Sequence, residues 1–353
     1  MSAPRFTLAQ RFQRAFLISL GRLPAALQRL LARPPVNSAG DTMAPDIALL
    51  MKLSESAPDY SDLPAAEARE VTESDLALFA ARVPPCPIEE EIEVADGVLA
   101  TRYSTGTPSR GLILFFHGGG FVIGSRAGYT APARMLARGT GADVVSVEYR
   151  LAPEHPFPAA QDDALSAWRY VVGRCADWRA DPRRIVVAGE SAGGNLAAVL
   201  CQQVRGEAVQ PLLQVLIQPV TDLVEHRPSQ DEFAGSPALS AKQVAWFVRN
   251  YLPEGTDPAD PRVSPYRAPS LAGLPPAIVD LAGFDPLHDD GLAYATALLE
   301  AGVPVEVTRE AGLVHGYLSY TGISPSSRQA TERLAGAIAA ALDRSSTTIT
   351  KAG

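Results

Sequence analysis

Cysteine is scarce in this chain. Cys86, Cys175 and Cys201 are an odd count with no close C-x-x-C pair. That excludes a disulfide framework and a cysteine-based zinc site, and it suits a reducing compartment. Long apolar runs are also missing: a stretch such as 112–116 falls far short of the about 20 residues a membrane-spanning helix needs. There is no internal repeat and no low-complexity segment. Basic residues are outnumbered 31 to 39, and the formal charge of −8 opposes a general nucleic-acid footprint, though not one local basic face. A soluble, cytoplasmic chain without stable membrane insertion is expected. With 46% apolar and 20% charged residues, the composition excludes disorder, collagen and coiled coil as the dominant class. The 353 residues allow two domains or one large α/β unit, burying about three quarters of the unfolded surface.

The first 40 residues contain no Lys, Asp or Glu but six arginines: Arg5, Arg11, Arg14, Arg22, Arg29 and Arg33. Removing those six from the 31 basic residues leaves 25 against 39 acidic ones, a net of −14 for the remainder. Phe12, Phe16, Leu20, Leu23, Leu27, Leu30 and Leu31 recur at three- and four-residue steps, which predicts one or two amphipathic helices broken at Pro24. The apolar stretch 15–20 is short and no clear A-x-A site follows, so a helical arm is expected rather than a signal peptide. The arm is expected to lie across the acidic body. The competing placement, an anionic membrane surface, would need its apolar face exposed.

Residues 41–87 read as short helices between proline breaks. The runs 88–94 and 98–103 flank Asp96-Gly97, a strong hairpin signal. Thereafter 112–116, 143–147, 185–188, 213–217, 277–281 and 305–308 read as buried strands. Helical patterns cover 161–172, 192–204, 287–301 and 327–342. This alternation predicts an α/β fold, a mostly parallel sheet with helices on both faces and the hairpin as an antiparallel edge. The span 225–264 breaks the alternation and reads as a helical insertion. A frayed tail is expected over 344–353.

The strongest local signal is Gly189-Glu190-Ser191-Ala192-Gly193-Gly194-Asn195, between a strand and a helix. G-x-S-x-G arises by chance in roughly one chain of this length in ten, so its position at a strand-to-helix turn carries the weight. There it reads as a sharp turn exposing a nucleophilic serine, with glycines where side chains would clash. A phosphate-binding turn is the competing reading, lowered by the lack of the full Walker spacing. His117-Gly118-Gly119-Gly120-Phe121 follows another strand. Its glycines allow the amides of Gly118 and Gly119, with that of Ala192, to point at one developing oxyanion, as acyl transfer requires. The His117 side chain is expected to brace this loop.

A serine nucleophile needs a base, and the base needs an orienting carboxylate. His226, His288 and His315 follow Ser191, and only His315 lies beyond the last strand, at its C-terminal side. Asp285 follows the strand 277–281 by a few residues; Asp222 also follows a strand and is the runner-up. Asp289 and Asp290 fall in a first helical turn, where negative charge suits the dipole.

Together, HGGGF at 117–121, EYRLAPEHPFPAAQDD at 148–163, GESAGGN at 189–195, DPLHDDG at 285–291 and HGY at 315–317 resemble the hormone-sensitive-lipase-like carboxylesterases. These belong to the α/β-hydrolase fold. The motifs span most of 110–320 in that family's order; Glu190 stands where Asp is frequent and His288 where Arg is common. The resemblance implies Ser191 as nucleophile, His315 as base, Asp285 as its orienter, and no metal or organic cofactor. It also implies a cap made from an N-terminal segment, 1–87, and an insertion at about 221–264 of a catalytic domain spanning 88–343. The charged members of 149–154 are expected to be structural, in a loop beside the active site. The cap and a substrate-binding Phe121 favour short or medium acyl chains. The expected partner is a small-molecule ester; a homo-oligomer stays open. Amide or carbamate cleavage on the same triad remains a competing activity. A non-catalytic receptor on this scaffold would be expected to lose a triad member, and none is lost.

Overall fold

The computed structural model describes residues 6–106 and 108–349. Four helices precede the sheet: α1 (Leu8–Gly21), α2 (Ala25–Leu31), α3 (Pro45–Ser54) and α4 (Ala65–Phe79). Thr7 and Gln10 form a capping box at the start of α1, and the chain breaks at Pro24 as its missing N–H and fixed φ require. The hairpin follows as β1 (Ile88–Ala95) and β2 (Val98–Ser104). Gly97 adopts φ 70°, the left-handed conformation that the turn needs. β1 is the sheet edge, and Glu89, Glu90, Glu91 and Glu93 charge it against pairing with other chains.

The body begins with β3 (Leu112–Phe116), α5 (Thr130–Thr140), β4 (Asp143–Val147) and α6 (Ala159–Arg174). It continues with β5 (Ile185–Glu190), α7 (Ala192–Gln203) and β6 (Leu213–Ile217). The insertion then supplies α8 (Pro228–Glu232) and α9 (Ala241–Tyr251). β7 (Ala277–Phe284), α10 (His288–Glu300), β8 (Val305–Val314) and α11 (Pro325–Ile349) complete the chain. The eight strands lie in the order β1-β2-β4-β3-β5-β6-β7-β8. The pairings β1–β2 and β2–β4 are antiparallel; all others are parallel. A buried ion pair ties the hairpin to the body: Arg102 on β2 donates from Nη2 to Asp143 Oδ2 on β4 at 2.6 Å.

Alternation along the strands divides the core into two layers. Leu112, Leu114 and Phe116 pack with Trp168, Leu196 and Leu298 of α6, α7 and α10. Ile113 and Phe115 face the other way, with Leu49, Leu136 and Ile338 of α3, α5 and α11. Helices therefore cover both faces, as a parallel sheet requires.

Three features differ from expectation. The crossover helix α5 is missing from the periodic patterns; Pro132 sits in its first turn, where proline is tolerated, and Gly141 ends it at φ 69°. α11 runs through Ile349, so helix covers part of the segment expected to fray; no Pro or Gly interrupts 337–349. Residues 350–353 lie outside the described residues. Finally, β5, β7 and β8 extend two to six residues past their apolar runs, ending at Glu190, Phe284 and Val314. The extensions pass through Gly189, Gly283 and Gly312, which a hydrophobic pattern does not register.

Candidate active site

Those extensions position the site. Ser191, Asp285 and His315 each stand immediately after the last residue of a parallel strand, β5, β7 and β8. Three parallel strands, β5 separated from the adjacent β7 and β8 by β6, thus deliver three side chains to one end of the sheet, where open α/β folds bind ligands. Ser191 occupies a strained turn, φ 57° and ψ −114°, with its amide donating to Ile217 O at 2.8 Å. The turn is tight enough to demand its glycines. A Cβ on Gly189 would lie 2.1 Å from Gly193 O, and one on Gly193 would lie 2.1 Å from Phe116 O.

His315 Nε2 is 2.9 Å from Ser191 Oγ, and its Nδ1 is 2.9 Å from Asp285 Oδ2. With the carboxylate fixing the Nδ1–H tautomer, the serine hydroxyl can donate to Nε2. Asp285 is buried, and its other oxygen accepts the Leu287 amide at 2.8 Å. Burial pulls the His315 imidazole toward neutrality, but the Asp285 charge and hydrogen bond outweigh it, and its pKa is raised. The array can move a proton from a hydroxyl to an imidazole and hold the resulting cation.

The glycine loop lies alongside. Among the described residues, the amides of Gly118, Gly119 and Ala192 donate to no protein acceptor, which leaves all three available. His117 does not face the serine. Its ring stacks on Tyr149 at 4.3 Å, and its Nδ1 lies 2.8 Å from Gly118 O. Burial lowers its pKa to about 4 despite the opposing Gly118 hydrogen bond, so it is neutral and braces the loop as expected. Phe121, at φ 64°, stacks on Tyr251 with ring centres 3.9 Å apart. Ser191, His315, Gly118, Gly119 and Phe121 open onto one cavity of about 770 Å³. Gln13, Phe16 and Leu17 of α1 line it too, as do Val244 and Phe247 of α9.

The remaining candidates lie elsewhere. Asp222 accepts from Arg267 Nη2 at 2.6 Å and does not meet His315. Asp290 accepts the Thr221 amide at 2.6 Å, and Asp289 the Ser229 amide at 2.9 Å, so both brace the insertion. His226 pairs with Asp231, and His288 bonds Ala282 O. In the 149–154 loop, Arg150 pairs with Asp163, and Glu154 with Arg69, as structural members should. Among the described residues no cluster of three or more His, Cys, Asp or Glu is placed to hold a metal ion.

Three supporting residues escape sequence reasoning. Tyr129 donates its hydroxyl to Glu190, whose carboxyl is pushed up by burial. Tyr149 supplies the ring under His117. Gln218, at φ 47° directly after β6, accepts the Gly316 amide at 2.6 Å and donates to Val314 O at 3.1 Å. It therefore grips the backbone on both sides of His315. A polar residue at the carboxyl end of a buried strand is the signal that could have found it.

A mostly parallel eight-stranded sheet with a strained serine turn between β5 and α7 defines an α/β hydrolase. Residues 113–319 match the family described as the alpha/beta hydrolase fold. The esterase LipI of Mycobacterium tuberculosis is 43% identical over 266 residues, covering 71% of this chain and 83% of its own. An ethyl acetate hydrolase of Pseudomonas putida is 36% identical, covering 78% of this chain and 92% of its own. Among solved structures, a hyperthermophilic esterase of the archaeon Pyrobaculum calidifontis superposes with a TM-score of 0.78 at 36% identity, over 83% of this chain and 96% of its own. An ester hydrolase from the Lake Arreo metagenome gives 0.79 at 34%, over 84% and 98%. The chain belongs to the hormone-sensitive-lipase-like carboxylesterases of the α/β-hydrolase fold, serine hydrolases that cleave esters.

Proposed function

We propose that Ser191 is the nucleophile of this carboxylesterase, with His315 as general base and Asp285 as its orienter. The unbroken hydrogen-bonded chain Ser191–His315–Asp285 at the cavity floor carries the reading. Ser191 Oγ attacks the ester carbonyl carbon as its proton passes to His315 Nε2. The oxyanion so formed accepts hydrogen bonds from the amides of Gly118, Gly119 and Ala192. The imidazolium then protonates the departing alkoxide, and the alcohol leaves an acyl group on Ser191. Water, deprotonated by His315, repeats the cycle and releases the acid.

The substrate class is a small-molecule ester of short or medium acyl chain. The roughly 770 Å³ cavity, with Phe121 as one apolar wall, supports that size range. Side chains from α1, α4 and α9 on the cavity wall support a cap built from 1–87 and the insertion at about 221–264. Three buried free thiols support a reducing cytoplasm as the compartment. The test is a series of p-nitrophenyl esters graded by acyl length, with an amide control. Ser191→Ala should lose on the order of 10⁴ to 10⁶ in rate with the fold unchanged by circular dichroism. A serine-directed phosphonate should label Ser191 alone. More than a few per cent residual turnover in a clean preparation would overturn the assignment.

A further inference from the structure

The arginine-rich arm turns one face toward the cavity and leaves another bare. Leu17 of α1 is partly buried at the cavity, and Arg14 is driven inward. Arg14 donates to the carbonyls of Ala77, Leu78 and Ala80 at the C-terminal end of α4. On the side of α1 away from Arg14, Leu8, Phe12 and Phe16 recur every fourth residue and so share a stripe that meets the cavity wall at Phe16. They are 70%, 69% and 58% exposed. α2, docked on the end of α1 by Gln28, adds Leu30 at 79% exposure, with Leu27 and Leu31 also exposed. Arg11, Arg22, Arg29 and Arg33 are exposed, and among the described residues none of them makes an ion pair. Every other part of the chain together carries a net −14, yet no acid lies in this segment to neutralise the four.

We infer that this face docks on an anionic lipid surface, lying in the headgroup region without crossing it. Exposed aromatic and leucine side chains beside free guanidiniums are the chemistry that such a surface recognises. Charge selects the partner: the unpaired arginines attract anionic headgroups, while the acidic remainder of the chain is repelled. Continuity adds the second argument. Phe16 belongs both to the exposed stripe and to the cavity wall, so docking would set the mouth of an ester-binding cavity against the membrane. Helix length agrees with a surface role, since no described helix is long and apolar enough to span a bilayer.

The test uses the full chain and sedimentation with phosphatidylcholine vesicles, alone or with about one part in three phosphatidylglycerol. Binding is expected on the mixed vesicles only, and it should weaken at least about tenfold between about 0.1 M and about 1 M salt as charges are screened. Leu8→Ser with Phe12→Ser should lower the bound fraction about tenfold or more while turnover of a soluble ester is unchanged. Arg11→Gln, Arg29→Gln and Arg33→Gln together should remove the preference for anionic lipid. Equal binding to both vesicle types, no binding to either, or variants that bind like the parent would overturn the proposal. So would light scattering that shows a dimer dispersed by Leu8→Ser with Phe12→Ser, which would assign the face to a second copy.

Discussion

His315 is where opposing forces meet in one side chain. Burial alone would hold the imidazole neutral at low pH, but Asp285 raises its pKa by charge and hydrogen bond. The proposed base must be neutral to accept a proton, so turnover is expected to fall as pH drops through the raised value. The acid limb of kcat/KM is therefore expected above the ordinary histidine pKa of about 6.5. Asp285→Asn removes the raising cause. It should cost roughly 10⁴ in rate and move the acid limb of the residual activity to lower pH. Asp222→Asn breaks a contact to Arg267 and should leave both rate and limb nearly unchanged. Rate–pH profiles of the two variants check this, and a reversed ranking would reject Asp285 as the orienter.

At the scale of elements, the carboxyl ends of the strands hold the site together through backbone strain and cross-strand contacts. Four non-glycine residues among those described have positive φ: Phe121, Arg179, Ser191 and Gln218. Three of them belong to the site or grip it, and such strain persists only where surrounding structure enforces it. Gln218 at the end of β6 holds Val314 and Gly316, while Tyr317 donates to the buried Asp280 on β7 at 2.8 Å. The histidine loop is thus pinned to two strands. Gln218→Ala would leave the Gly316 amide and Val314 carbonyl unpaired and let His315 shift. Misplacement of about 1 Å costs about 10²-fold, so kcat should fall by about 10- to 100-fold with KM little changed. Gln218→Glu, which can still accept the Gly316 amide, should recover part of the loss. Steady-state kinetics decide it, and a parental kcat in Gln218→Ala would refute the positioning role.

At the scale of the whole molecule, the arm is part of the folded body as well as a cavity wall. Arg14 closes the C-terminal carbonyls of α4, and the Gly21 backbone packs against Ile323, where a Cβ would sit 1.8 Å from its carbonyl oxygen. Deleting residues 1–33 would leave the α4 carbonyls without their donor and open the wall formed by Gln13, Phe16 and Leu17. The truncated enzyme is expected to melt several degrees lower, since about 1 kcal/mol corresponds to roughly 2–4 °C for a domain of this order of size. It should also change its ranking of acyl-chain lengths while still hydrolysing the shortest esters. Thermal denaturation and the graded ester series measure both effects; unchanged melting and unchanged ranking would exclude the arm from the cap.

The succession of strands along the chain, the serine turn and the histidine after the last strand are legible in the amino-acid sequence alone, whereas the order of the strands in the sheet, with β4 between β2 and β3, is not. Each is a local signal: an apolar run bounded by turn residues, or glycines where a Cβ would meet backbone at 2.1 Å. The choice of Asp285 over Asp222 was weaker there, because both follow a strand and only their partners separate them. Those partners, His315 and Arg267, are brought up by other strands and by the insertion. The strand extensions through Gly189, Gly283 and Gly312, and the Gln218 grip, depend likewise on neighbours across the sheet. The arm shows the same division. Periodicity predicts its helices but cannot say which apolar residues turn inward, because α1 carries them on more than one side. Packing against α4 decided that Arg14 goes in and that Leu8, Phe12 and Phe16 stay out.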